Sequence, residues 1–189
     1  MNIANVLTLG RIALVPAVVL SFYLPWLWAH YLAAFIFILA AITDLFDGYL
    51  ARSLNQVTRF GAFLDPIADK LVVAVSLVLI VAELGRWYVA IPAATIIGRE
   101  LAVSGLREWM ADVGRRTKVA VTNIAKIKTA VQMVAISLLL IYHPDINQPT
   151  YLIFALFLLY LAAVMTLWSM LLYLRAAWPY LSEEVGGRI

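Results

Sequence analysis

The chain has 189 residues, 65% of them apolar and only 13% charged, with a net charge of +3 and no cysteine. Soluble domains carry about half apolar and a quarter charged residues, so these proportions point away from a soluble fold and give no support to nucleic-acid binding. The missing cysteines exclude disulfides, thiolate chemistry and cysteine-held metals.

About 20 apolar residues cross a bilayer core at a rise of 1.5 Å per residue, and six such runs are predicted, at 8–28, 31–51, 62–82, 87–107, 119–142 and 150–174. The first has no basic stretch before it and no small-residue cleavage site after it, so it is expected to stay. Pro25 with His30, the polar stretch 52–59, Glu83–Arg86, the segment 112–118 and the run 143–149 separate the six. The expected fold is all-α: a polytopic membrane protein, a six-transmembrane-helix bundle forming one domain over 1–189. No internal repeat supports a transporter built from inverted halves. Arg52, Arg59, Arg107, Arg115, Arg116, Lys118, Arg175 and Arg188 fall in alternate loops, against Arg86 alone on the other side. The positive-inside rule therefore predicts both termini in the cytoplasm. Trp26, Trp28, Trp87 and Tyr88 mark the outer interface, Trp178 and Tyr180 the inner one, and His30 and His143 read as incidental residues of the far loops.

Four acids interrupt this apolar background: Asp44 and Asp47 near the end of the second run, Asp65 and Asp69 near the start of the third. A charge at bilayer depth costs roughly 3 kcal/mol, which passive anchoring does not require. Asp44, Asp47, Gly48, Ala51 and Arg52 share one helical stripe, and Gly61, Asp65, Ala68 and Asp69 repeat it on the next helix. Two antiparallel helices joined by a short loop bring such stripes to one cytoplasmic pocket. Clustered carboxylates repel one another and take up protons unless cations compensate. An all-carboxylate donor set without His or Cys suits a hard divalent ion, Mg²⁺ or Mn²⁺, and there is room for two; such a site favours phosphoryl-type transfer. Gly48 and Gly61 admit a bulky ligand to the helix backbones, and Arg52 suits a phosphate or carboxylate.

The pattern D-x-x-D-G-x-x-A-R, eight residues, then G-x-x-x-D-x-x-x-D resembles the signature of the CDP-alcohol phosphotransferases, with every fixed position met. The segments Asn5–Arg11, Thr58–Gly61, Gly98–Glu100, Leu106–Trp109 and Lys126–Thr129 extend the resemblance over nearly the whole chain. Ala125 departs from the glycine that many members place before the first lysine. The resemblance implies transfer of a phosphatidyl group from CDP-diacylglycerol to the sn-1 hydroxyl of glycerol 3-phosphate, releasing CMP. It also implies metal ligation by Asp44, Asp47, Asp65 and Asp69, with Asp69 the general base toward the acceptor hydroxyl. An ordinary carboxylate is weak for that task, so metal acidification of the hydroxyl is expected to share it. Gly48, Ala51, Arg52 and Gly61, with Thr58, carry over as contacts to the CDP moiety, and Asn5 and Thr8 as the amino-terminal part of that nucleotide site. Thr58 has a structural alternative as a helix cap, and Asn5 and Thr8 as an interfacial helix start. A homodimer in the bacterial inner membrane, among membrane lipids, is the implied setting.

A phosphorylated acceptor needs fixed cations, and Arg99, Lys126 and Lys128 lie in the predicted cytoplasmic halves of the fourth and fifth helices, with Arg107 nearer the boundary. Arg115, Arg116 and Lys118 read as a solvated loop. Lys70 projects away from Asp69, and Glu100 and Glu108 orient basic neighbours. Rival readings keep the donor but change the acceptor to inositol phosphate, serine or phosphatidylglycerol, or change the class to a divalent-cation channel or transporter.

Overall fold

Runs of Leu, Ala, Ile and Val, broken only where Pro, Gly and polar residues cluster, form six helices. They are α1 (Ile3–Phe22), α2 (Ala29–Ser53), α3 (Arg59–Leu84), α4 (Trp87–Asp112), α5 (Asn123–Ile141) and α6 (Pro149–Gly186). A computed structural model describes residues 3–53, 59–112, 123–143, 146 and 148–186, and for 3–8, 44–53, 59–63, 65, 66, 69, 111, 112, 123–126, 176 and 179–186 it describes the backbone. The described residues contain no strand.

Two helix ends depart furthest from the apolar runs. The first helix stops at Phe22 rather than near residue 28, because Pro25 lacks an N–H and disfavours helical geometry in the residue before it. A tight turn follows, in which the Trp26 N–H donates to Leu24 O at 2.7 Å and the Ala29 N–H to Trp26 O at 3.0 Å. The sixth helix continues to Gly186, past the predicted end at 174, because Leu, Ala, Arg and Glu keep forming helix after the apolar run ends. Its 38 residues reach about 57 Å at 1.5 Å per residue. Trp87–Met110 and Pro149–Arg175 are long and apolar enough to cross a membrane. Among the residues whose side chains are described, Leu9–Phe22, Ala29–Thr43 and Ile127–Ile141 are further apolar stretches.

The short connections α1–α2, α3–α4 and α5–α6 reverse the chain at one end of the bundle. Gly85 makes the second of these, closing α3 by donating to Val81 O at 2.9 Å with φ at 56°. A Cβ added there meets nothing within 4 Å, so Gly85→Ala carries only the backbone penalty of a left-handed residue. It is expected to lower stability by about 1 kcal/mol in detergent unfolding, with turnover unchanged.

Helix α1 packs on α2 and α3, α5 on α2, α3 and α6, and α4 on α3 and α6, while α2 also meets α3. The contacts run along rows at helical spacing: Arg11, Val18 and Phe22 on α1; Ala33, Phe37 and Ala40 on α2; Ala68, Val72, Ser76 and Ile80 on α3; Lys128, Gln132, Ala135, Ile136 and Leu139 on α5; Ala155, Leu159, Ala162 and Thr166 on α6. The small residues let the backbones approach closely. Thr43, Thr95 and Ser137 donate to the carbonyls of Leu39, Ile91 and Met133, which satisfies their hydroxyls within their own helices. His30, expected as an incidental loop residue, is instead buried: its Nδ1 lies 3.1 Å from Leu140 O, joining α2 to the end of α5.

Candidate active site

The core rows of α2 and α3 lead directly to the acids. Asp44 follows Ala40 by one turn and Asp47 lies one turn further; Asp65 and Asp69 precede Val72 at the same spacing. The backbone thus puts all four acids in register with the buried faces of two helices that touch, toward the ends flanking the 54–58 connection. Gly48, Ala51 and Arg52 continue α2, and Gly61 lies in the first turn of α3. Asn5 and Thr8 lie inside the first two turns of α1. The side chains of all these residues lie outside the described part, as does that of Lys126; Thr58, Arg115, Arg116 and Lys118 lie outside the described residues altogether. As a donor set, four carboxylates at i, i+3 on one helix and i, i+4 on its neighbour fit a hard divalent ion.

Arg11 had no assigned role in the sequence reading, yet its side chain is only 1% exposed. It borders a small internal void with Phe37, Ala40 and Ala41 of α2, Val72 and Val73 of α3 and Met133 of α5. Of these, Ala40 and Ala41 sit three to four residues from Asp44, and Val72 and Val73 three to four from Asp69. Arg11, Asp44, Asp69 and Gln132 all lie eight to ten residues from the helix ends on that side, a depth of roughly 12–15 Å. A guanidinium level with Asp44 and Asp69 therefore forms the inner floor of the acidic stretch. The signal available in the sequence was register: Arg11 lies on the same row as Val18 and Phe22.

The expected cations separate by burial. Lys128 is 6% exposed on the core row of α5. Arg99 is half-buried in α4; its Nη2 donates to Ser169 Oγ of α6 at 2.6 Å, and its Nε is buried without a partner among the described residues. Ser169 in turn donates to Thr166 O at 2.9 Å. Arg107 and Glu108 are exposed. Glu100 accepts from Gln132 Nε2 at 3.5 Å, so the acid beside Arg99 on α4 is tied to α5. Ser169 and Gln132 escaped the sequence reading because a lone polar residue in an apolar run carries no motif.

A lateral cleft of about 390 Å³ opens between α3 and α4. Ile67, Leu71, Val73, Ala74, Ile97 and Leu101 make it apolar, and Lys70 and Glu100 are its two charged side chains. Lys70 thus belongs to this flank, away from the core row.

Residues 1–174 match the family described as CDP-alcohol phosphatidyltransferase. The chain is 52% identical over 183 residues to a protein of Yersinia pestis (strain Pestoides F), covering 97% of this chain and 98% of that one. It is 55% identical over 176 residues to one of Salmonella choleraesuis (strain SC-B67), covering 93% and 94%. A protein of Shigella flexneri serotype 5b (strain 8401) is equally similar, at 55% over 176 residues. All three relatives are named CDP-diacylglycerol–glycerol-3-phosphate 3-phosphatidyltransferase.

Proposed function

Because the chain belongs to the CDP-alcohol phosphatidyltransferase family, we propose that it transfers the phosphatidyl group of CDP-diacylglycerol to the sn-1 hydroxyl of glycerol 3-phosphate. Phosphatidylglycerophosphate and CMP are the products, and the reaction serves phospholipid biosynthesis. The new bond joins the acceptor oxygen to the phosphorus that bears diacylglycerol, and the bond from that phosphorus to the oxygen of CMP breaks. Asp69 takes the hydroxyl proton. Asp44, Asp47, Asp65 and Asp69 hold Mg²⁺ or Mn²⁺, with two ions per site. Bound metal supplies neutralisation of the diphosphate and acidification of the attacking hydroxyl. Asn5, Thr8, Gly48, Ala51, Arg52, Thr58 and Gly61 receive the cytidine diphosphate. Arg99, Lys126 and Lys128 hold the acceptor's phosphate, with Arg107 at the rim.

The observation that carries the acceptor is the pair of interior cations on α4 and α5. Lys128 is buried, and Arg99 keeps an unused N–H while hydrogen-bonded to a hydroxyl. Interior cations arranged this way suit a dianionic phosphate ester. Serine, which bears an ammonium group, would meet repulsion there.

The membrane setting is part of the same proposal: six spans, both termini cytoplasmic, the site facing the cytoplasm, in a bacterial inner membrane. Its support is a surface on which Leu20, Phe35, Val78, Ile91, Phe157 and Val164 are all more than half exposed. A soluble monomer does not present apolar residues around its whole girth, whereas lipid-facing helices do. Trp26, Trp28 and Trp87 are exposed at one end and Trp178 toward the other, as interfacial belts require. Membrane lipids and a second copy of the chain are the remaining partners proposed.

The test is to incubate purified protein and CDP-diacylglycerol with glycerol 3-phosphate, inositol phosphate, serine or phosphatidylglycerol in turn, following CMP and lipid product. Turnover with glycerol 3-phosphate alone is expected, abolished by a chelator, restored by Mg²⁺ or Mn²⁺, and absent in Asp65→Asn. Turnover with a different acceptor would change the assignment while keeping the site. Metal uptake into liposomes without lipid turnover would move the protein to another class.

A further inference from the structure

Gln132 is a polar residue of the helix interior that the reaction as described leaves unused. It is 2% exposed, on the core row of α5, one turn beyond Lys128. Its amide donates to the Glu100 carboxylate, and Glu100 follows Arg99 directly in α4. A carboxylate only accepts, so this contact fixes the amide: the NH₂ group belongs to Glu100 and Oε1 is left over. That oxygen is buried and has no hydrogen-bond partner among the described residues. A carboxamide oxygen withdrawn from water and given no donor is a liability in a finished interior. It makes sense where a donor arrives with the ligand.

The position says which ligand. Gln132 shares a helix row with one cation assigned to the acceptor's phosphate and is hydrogen-bonded to the neighbour of the other. In the acceptor reading above, the acceptor's carbon backbone would come to rest between them. Glycerol 3-phosphate carries one hydroxyl that reacts and one that does not. We propose that Gln132 Oε1 accepts a hydrogen bond from the unreactive sn-2 hydroxyl, so that Gln132 selects a phosphorylated polyol over a phosphorylated simple alcohol. This rests on the acceptor reading given above. A site built around a hydroxyl rejects the analogue lacking it, because the buried oxygen is then stranded. Glu100 acts through Gln132, holding the amide in the productive orientation.

The experiment compares glycerol 3-phosphate with 3-hydroxypropyl phosphate, its 2-deoxy analogue, at saturating CDP-diacylglycerol. The wild type is expected to favour glycerol 3-phosphate in kcat/KM by about 10- to 100-fold. Gln132→Met is close in length and cannot accept that hydrogen bond. It should shrink the preference to within about threefold by losing efficiency with glycerol 3-phosphate only, with the KM for CDP-diacylglycerol unchanged. Gln132→Asn, which keeps the carboxamide but draws it back, reports the same loss if the methionine variant does not fold. A wild type that uses both acceptors equally overturns the proposal without any variant, and so does a folded variant of either kind that keeps the full preference. Absence of turnover with both acceptors would instead remove the acceptor reading, and this proposal with it.

Discussion

Asp69→Asn is expected to lower kcat by about 10²- to 10⁴-fold, the range a positioned general base contributes. The substitution keeps the shape of the side chain and removes its charge, so Mn²⁺ binding must be followed beside turnover, by calorimetry on the purified protein. Lost turnover with retained metal affinity identifies a base toward the acceptor hydroxyl. Loss of both in parallel makes Asp69 a ligand first. Near-normal turnover with normal affinity would remove the base assignment and leave hydroxyl activation to the metal alone.

The second large effect is expected at the interior cations. Lys128→Met keeps the buried stem on the core row of α5 and removes only the ammonium, and Arg99→Met does the same on α4. Truncating one partner of a buried charge-assisted contact costs about 2–5 kcal/mol, so the KM for glycerol 3-phosphate should rise by about 30- to 4000-fold. The KM for CDP-diacylglycerol should stay within a few-fold. An equal rise in both constants would mean that these residues hold the bundle together or serve the donor instead. Arg86→Met, at an exposed position outside the site, is the control that should change little.

Periodicity and apolar length made the helices legible, and the acidic motif pointed to the family, since all eight of its fixed positions are met. What escaped was of two kinds. Apolarity was the ruler for helix ends, and it fails where helix and apolar run part company. Pro25 ends α1 inside an apolar stretch, and helix-forming residues carry α6 beyond its own. The other kind is the isolated polar residue. Gln132 and Ser169 belong to no spaced set, so only the fold reveals that one lies on a core row and the other receives Arg99, and Arg11, though inside a segment of the resemblance, shows its burial only through the register of α1. His30 was misjudged for the same reason, since its partner is a backbone carbonyl 110 residues away. On the acceptor side the sequence offers charges, whereas the hydroxyl contact proposed for Gln132 rests on a single amide and has no pattern.

The guanidinium floor has a bearing on how the protein is made. During synthesis α1 leaves the ribosome carrying Arg11 before Asp44, Asp47, Asp65 or Asp69 exists. As a lone segment it would have to hold that cation in hydrocarbon at a cost of a few kcal/mol, against the apolar residues of its own helix alone. The acids arrive with the second and third helices, which are also the two that α1 packs against. In the proposed membrane setting, insertion would therefore be cooperative in time as well as in space: α1 would commit to the bilayer as one member of a three-helix unit, and the charges proposed for catalysis would first serve assembly.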